Sequence, residues 1–178
     1  NVETVRREET QKPRGKPSLT VRDLNSSRSI RGVNLEVHSG EIVGLGGLQG
    51  QGQSEVLKAV FGAYPAESGS IELSGKRVHI RKPVDAIREG IVLVPGNRAR
   101  EGLCLPRPVL ENVTLPSLAH RSKFGLLSPG IEQDASQTII DRLHVELATM
   151  YQPASSLSGG NQQKIVVGKW LLANAKIL

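Results

Sequence analysis

Residues 47–55, which read GLQGQGQSE, have the glycine spacing of a phosphate-binding loop. In the pattern G-x-x-x-x-G-K-[ST], Gly47, Gly52 and Ser54 take the expected places, whereas Gln53 replaces the lysine. Glycines let backbone amides approach an anion closely, and a serine hydroxyl at position 54 is suited to ligating Mg²⁺. A glycine-rich turn before a core helix is the alternative. The residues predicted to form the phosphate site are Gly47, Gln49, Gly50, Gln51, Gly52, Gln53, Ser54 and Glu55.

The replacement of lysine by Gln53 changes what this loop can do. A glutamine side chain donates a hydrogen bond to a phosphate but brings no positive charge. A hydrogen bond to a charged group contributes about 1.5–3 kcal/mol and a neutral one about 1 kcal/mol, so phosphate binding should weaken by roughly ten-fold. Hydrolysis should lose more, because the cation would offset charge that grows in the transition state. We therefore expect binding without fast chemistry at this loop.

A second anion-binding pattern lies at residues 157–164, which read LSGGNQQK. Ser158 is a good helix N-cap. Gly159 and Gly160 leave their amides open at a helix N-terminus, where the partial positive charge favours an anion. An ordinary capped helix is the alternative, but glycine in the first turn destabilises a helix and so requires another reason. This stretch is the most specific in the sequence.

The elements predicted around these stretches place both of them at the starts of helices. Alternation of apolar and polar residues predicts strands in SLTVRDL and VNLEV, and SIELSGKRVHI predicts a hairpin that turns at residues 74–76. The apolar run IVGLGG precedes the phosphate loop, and IVLVP predicts a buried strand. Apolar spacing and end signals predict helices at 54–62, 83–90, 131–145 and 158–173. The first helix would place on one face Val56, Leu57, Val60 and Phe61, and the third would have available for packing Ile139, Ile140, Leu143 and Val145.

The composition fits one cytosolic globular domain. The 178 residues are 38% hydrophobic and 22% charged, no apolar run approaches the roughly 18 residues of a membrane span, and the charged first residues are unlike a signal peptide. A single cysteine, Cys104, excludes an internal disulfide. The net charge is +6. Because the basic stretch at 76–107 holds no Phe, Tyr or Trp to stack bases, a solvated or partner-facing surface is favoured over a nucleic-acid groove.

The stretch LSGGNQQK resembles the signature motif of ATP-binding cassette proteins, in the Asn-bearing form of importers of simple sugars such as ribose, galactose and xylose. VNLEVHSGEIVGLGGLQGQGQSEVLKAVFGAYPAESGSIELSGK and GIVLVPGNRAREGL are also similar to those importers, in particular to the second of their two fused cassettes. The resemblance covers about 18–178. It implies an α/β fold of P-loop NTPase type, with a RecA-like core, an antiparallel β subdomain and a helical signature subdomain at about 104–172. Residues 1–17 lack apolar periodicity and are predicted to be a linker or flexible tail.

The resemblance also implies a head-to-tail pair of cassettes that holds two ATP molecules, with Mg²⁺, between them. Each ATP then contacts the phosphate loop of one cassette and the signature of the other. The phosphate-loop lysine is commonly replaced in the second cassette, so this loop would form the weaker site. The implied partners are a second cassette, membrane permease subunits and, indirectly, a sugar-binding protein, with no nucleic acid. The cassette would be peripheral, at the cytoplasmic face of the membrane. The residues that would complete the partner's ATP site are Leu157, Ser158, Gly159, Gly160, Asn161 and Gln162.

Two stretches depart from the family pattern. The aromatic residue that stacks on adenine is not evident between Val21 and Arg31. Residues 95–98, Pro-Gly-Asn-Arg, stand where a glutamine is usual, or an acidic pair in the fused sugar cassettes. Arg98 and Arg100 could face phosphate or an acidic partner, but solvated loop arginines are the favoured interpretation.

The sequence ends at ANAKIL, of which residues 176–178 look like the start of a strand. The family continues from such a strand into the Walker B motif, the D-loop and a switch histidine, so no catalytic residue is predicted here and the isolated chain is expected to be inactive. Three functions stay open. The favoured one is an ATP-binding domain of a simple-sugar importer whose signature completes a partner's ATP site. The others are an inactive truncated cassette that acts as an interaction or regulatory module, and a non-transport cassette protein that acts on nucleic acid.

Overall fold

A computed structural model of the chain describes residues 3–4, 15–26, 30–122 and 126–178. They fall into two compact units, the first formed by residues 1–93 with Ile177 and the second by residues 94–176 with Leu178. Most of the predicted linker at 1–17 lies outside the described residues. Its strand β1, Glu3–Thr4, pairs antiparallel with β4, Leu45–Gly46. No helix in these ranges is long and apolar enough to cross a membrane.

An antiparallel sheet forms the body of the first unit. Among the described residues its four strands, in spatial order, are β3 (Ile30–Val37), β2 (Leu19–Ser26), β5 (Ala66–Leu73) and β6 (Lys76–Val78). Ser74 and Gly75 join β5 to β6, both with positive φ, which is the backbone geometry that a two-residue hairpin requires. The predicted hairpin at 74–76 is confirmed.

Two helices follow the strands of this unit, α1 at Gln53–Val60 and α2 at Pro83–Glu89. The buried positions of α1 are Val56, Ala59 and Val60, whereas Leu57 is 47% exposed. The expectation that Leu57 packs inward is wrong. Residues advance about 100° per step around a helix, so Val56, Ala59 and Val60 lie within one face of about 100°, and Leu57 lies about 60° outside that face.

The predicted strand IVLVP is present only as a single parallel bridge between Ile91 and Ile177. Val92 N donates to Ile177 O at 3.0 Å, and Ile177 N donates to Gly90 O at 3.1 Å. Ile177 is therefore the start of strand pairing that was expected at 176–178.

The second unit is helical. Its α-helices within the described ranges are α3 (Val109–Thr114), α4 (Leu118–Arg121), α5 (Pro129–Arg142) and α6 (Gly159–Leu172). Helix α6 confirms the prediction of 158–173, with Ile165 and Val166 fully buried. Helix α5 ends before the predicted residue 145, because Leu143 leaves helical geometry and His144 has a φ of 49°. Val145 still packs inside the unit, as predicted.

A buried ion pair ties α4 to α5. The guanidinium of Arg121 donates to both carboxylate oxygens of Glu132, at 2.8 and 3.2 Å, and also to Ser117 Oγ and Thr114 O. Burial raises the pKa of Glu132, but hydrogen bonds from Arg121 and Thr114 and the charge of Arg121 outweigh it, so that pKa lies below its ordinary value. The pair keeps this carboxylate ionised inside the helical unit.

Candidate functional site

The predicted phosphate loop lies between β4 and α1 and keeps open amides. Gly47, Gly50 and Gly52 have φ angles of 155°, 85° and 105°, in the region that glycine adopts without strain. The backbone amides of Gln49, Gly50 and Gly52 donate to none of the described residues. Together with the first turn of α1, they provide backbone donors of the kind that binds a phosphate group.

Two glutamines of the loop turn back on its own backbone. The side-chain amide of Gln53 donates to Leu48 O at 3.2 Å, and Gln51 Oε1 accepts from Leu48 N at 3.2 Å. A Cβ at Gly47 would collide with the Gln53 amide, so the glutamine side chain lies directly against the loop. The residue in the lysine position is therefore uncharged and already hydrogen-bonded.

The residues that could hold Mg²⁺ at this loop are few. Ser54 is exposed in the first turn of α1. The described part of the chain contains no group of three or more His, Cys, Asp or Glu residues arranged to hold a metal ion. Because Mg²⁺ commonly keeps several waters and binds through substrate phosphates and one or two protein oxygens, a single hydroxyl fits that role. Mg²⁺ itself would neutralise phosphate charge when bound.

Within the signature turn, which comprises residues 157–162, residues 158–160 are exposed. Ser158 caps α6, with its Oγ accepting from Asn161 N at 3.4 Å. The amides of Gly159 and Gly160 donate to no residue in the described ranges. A Cβ at Gly160 would meet nothing within 4 Å. The exposed side of the turn thus presents a hydroxyl and two free amides at the N-terminus of a 14-residue helix.

The flanks of the signature turn are held from inside the helical unit. Leu157 is buried in its apolar cluster, and Asn161, which is 8% exposed, accepts from Glu146 N at 3.2 Å through Oδ1. The side-chain amide of Gln162 donates to Leu157 O at 3.2 Å and to Ala154 O at 3.3 Å. The six predicted residues therefore form two sets. Contacts within the helical unit hold Leu157, Asn161 and Gln162, whereas residues 158–160 are exposed.

Arg98 also lies beside the signature turn. Its Nε donates to Gln162 Oε1 at 3.2 Å, and a Cβ at Gly159 would lie 2.7 Å from Arg98 Nη2. The interpretation of Arg98 as a solvated loop arginine is wrong, whereas Arg100 is exposed as expected. Arg98 and Gln162 are 64 positions apart, so no local pattern could have joined them.

The π-helical turn that begins at Arg98, Arg98–Gly102, packs along α6. Lys169 Nζ donates to Gly102 O at 2.5 Å, and a Cβ at Gly102 would lie 3.1 Å from Val166 Cγ2. Burial lowers the pKa of Lys169, since the charged ammonium is withdrawn from water. Arg98 and Lys169 therefore anchor the two ends of this turn to the signature helix.

The sequence of the chain is similar to a protein family and to curated relatives. A family model described as "ABC transporter" matches residues 30–178. Ribose import ATP-binding protein RbsA 1 of Agrobacterium fabrum is 42% identical over 164 residues, which are 92% of this chain and 32% of that protein. The chain spans about a third of the length of the curated relatives it matches.

Solved structures of cassettes share the fold. An ATP-binding cassette of an ABC transporter in its ADP conformation aligns with a TM-score of 0.67 and 21% identity, over 90% of this chain and 66% of that one. A dimeric cassette in a post-hydrolysis state, bound to ADP and Pi, gives 0.65 and 19%, over 88% of this chain and 70% of that one. The predicted cassette fold is confirmed.

Proposed function

Since the chain belongs to the ABC transporter family, we propose that it is an ATP-binding cassette of a simple-sugar importer. Relatives named as ribose import ATP-binding proteins, at 42% and 40% identity over more than nine-tenths of the chain, support this substrate class. On this proposal the cassette is peripheral at the cytoplasmic face of the membrane. Its partners are a second cassette, permease subunits and, through these, a sugar-binding protein.

Within that assembly we assign different roles to the two anion-binding regions. The phosphate loop, residues 47–55, binds ATP with Mg²⁺ weakly because Gln53 brings no charge. The signature turn completes the ATP site of the second cassette. The observation that carries this assignment is the exposure of residues 158–160 with open amides, on flanks held by Asn161 and Gln162. A related cassette described as dimeric and bound to ADP and Pi supports pairing of this kind.

The domain limits follow from the same proposal. Residues 18–178 are the cassette, with a helical signature subdomain at about 104–172, and residues 1–17 are a linker or tail. The phosphate loop and the signature turn bind and orient phosphates, and neither contributes a base for water. Hydrolysis of ATP would therefore occur at the partner's phosphate loop, and that cassette would supply the residues that bind Mg²⁺ and activate water.

Ser158→Arg in the assembled ATPase tests this function. A long cation in the place of the exposed cap should block the amides of Gly159 and Gly160, and we expect the rate of ATP hydrolysis to fall about a hundred-fold. The matched control is Ser128→Arg. Ser128 is also an exposed N-cap serine of a 14-residue helix, α5, and makes no side-chain capping hydrogen bond.

The two variants give opposite expectations. Ser128→Arg should hydrolyse ATP at the unsubstituted rate, since its helix carries no predicted ligand. If Ser158→Arg assembles normally and also keeps full activity, the signature turn does not complete an ATP site and the proposed function fails.

A further inference from the structure

A positive charge lies beside the open end of the signature helix. The Arg98 guanidinium rests against Gly159, the first residue of α6. A cation at a helix N-terminus opposes the partial positive charge of the helix and by itself destabilises the helix. The arrangement therefore needs another interaction that holds the guanidinium in place.

Gln162 supplies that interaction. Its Oε1 accepts from Arg98 Nε, while its Nε2 donates to the carbonyls of Ala154 and Leu157. The opposite orientation of the amide would place its NH₂ against a guanidinium and its oxygen against two carbonyls, leaving all three contacts unmade. The bond from Arg98 thus fixes the side chain that holds Leu157 O, immediately before Ser158.

The two signature glycines differ in what surrounds them. A Cβ at Gly159 would lie 2.7 Å from Arg98 Nη2, whereas a Cβ at Gly160 would be in open space. Nη2 is the far end of a flexible side chain, so an alanine at 159 can be accommodated if the guanidinium moves away. An alanine at 159 would therefore displace the Arg98 guanidinium from its present position.

We propose that Arg98 is a positioning residue of the ATP site that the signature turn completes. It acts through Gln162 on the backbone before Ser158, and through its contact with Gly159 on the first turn of α6. This inference rests on the proposed function and adds to it a residue from the segment that follows Pro95. The residues that bind the nucleotide remain those of the signature turn.

The first test replaces Arg98 in the assembled ATPase. Arg98→Gln should lower kcat for ATP hydrolysis about ten-fold, because a charged hydrogen bond that orients the turn is lost, while KM for ATP changes less than three-fold. Arg98→Lys, which keeps a cationic donor, should recover at least half of kcat. Arg100→Gln is the matched control, since Arg100 lies in the same turn and is exposed. Equal kcat values for Arg98→Gln and Arg100→Gln would overturn the proposal, as would failure of Arg98→Lys to recover activity.

The second test is a double-mutant cycle. Gly159→Ala displaces the Arg98 guanidinium, so Gly159→Ala and Arg98→Gln should be non-additive, with the double variant losing no more than about three-fold beyond the worse single variant. Residues 160 and 98 do not share a contact, so the losses of activity caused by Gly160→Ala and Arg98→Gln should multiply. Multiplicative losses in both pairs would overturn the proposal.

Ser158→Arg separates the failure of this inference from failure of the proposed function. If Ser158→Arg abolishes ATP hydrolysis and Arg98→Gln has no effect, only the role of Arg98 is refuted. If neither variant has an effect, both the proposed function and this inference are refuted.

Discussion

The phosphate loop and the signature turn both begin a helix with open backbone amides, but they differ in how the surrounding side chains are used. In the phosphate loop, Gln51 and Gln53 are hydrogen-bonded to Leu48 of the loop itself. In the signature turn, support comes from distant residues, with Asn161 bonded to Glu146 N and Gln162 to Arg98. The first region is a local structure, and the second is held by the fold of the helical unit.

The two regions also differ in charge: the phosphate loop lacks the cation that such a loop usually carries, and the signature turn has a cation beside it. The lysine position at 53 is neutral, whereas the signature turn has the guanidinium of Arg98 beside its first glycine. Open amides that are held by distant residues can stabilise charge that develops in a transition state, whereas the neutral phosphate loop contributes to binding. The difference explains why we assign the main contribution of this cassette to the interface with its partner.

If the signature turn is held by the fold of the helical unit, a substitution that destabilises this unit should disturb the signature turn before it disturbs the phosphate loop. Glu132→Ala leaves the buried guanidinium of Arg121 without a carboxylate partner and should lower the free energy of unfolding by about 3–5 kcal/mol. Glu111→Ala is the control, since Glu111 forms an exposed ion pair with Arg107 and its loss should change stability by less than about 1 kcal/mol. Urea unfolding of both variants checks the prediction, and equal effects would refute it.

The next largest effect is expected at the buried flank of the signature turn. Asn161→Ala removes the acceptor of Glu146 N and should cost about 1–3 kcal/mol of stability, with a loss of ATP hydrolysis in the assembled ATPase. The exposed Gln163→Ala in the same helix should change neither quantity. Thermal unfolding and ATPase rates of the two variants provide the comparison. An Asn161→Ala variant that matches Gln163→Ala in both would show that the turn needs no support.

A smaller effect is expected from restoring charge to the phosphate loop. Gln53→Lys should tighten nucleotide binding about ten-fold, because a charged donor then faces the phosphates. Gln51→Lys adds the same charge two residues earlier but loses the hydrogen bond from Leu48 N, so it should give less than a three-fold gain. Nucleotide titration measures both. Equal gains would indicate general attraction of anions rather than a lysine position.

The smallest effect is expected from pH. The pKa of Glu132 is below its ordinary value in the folded chain, so the unfolded chain takes up a proton first as the solution becomes acidic. The contribution of this carboxylate is therefore complete above its unfolded pKa of about 4.3 and is lost as pH falls below that value through the folded pKa. Unfolding free energies should decline less steeply below about pH 4.3 in Glu132→Gln than in the unsubstituted chain. Parallel declines would contradict this account.

Features that depend on neighbouring residues could be predicted from the sequence. The turn at Ser74 and Gly75 follows from residues that accept positive φ, and α6 follows from a serine cap before an apolar run. The exposure of residues 158–160 also agrees with the expectation that two glycines leave amides open. Each of these features depends on interactions within about one helical turn or one hairpin.

Contacts between distant segments could not be predicted in the same way. Arg98 meets Gln162, and Lys169 reaches Gly102, across more than sixty positions with no shared periodicity. The apolar pattern predicts that Leu57 lies on the buried face of α1, but Ala59 occupies that face and Leu57 is exposed. The apolar run IVLVP predicts a full strand, but the structure has a single bridge there, because strand pairing depends on a partner segment as well as on apolar content.

The central claim is that this cassette contributes more through its signature turn than through its phosphate loop. The most direct test compares ATP hydrolysis by the assembled ATPase carrying Ser158→Arg with that carrying Ser54→Arg, since both serines are exposed at the start of a helix. We predict that Ser158→Arg is at least ten-fold slower than Ser54→Arg. Equal rates, or a slower Ser54→Arg, would contradict the claim.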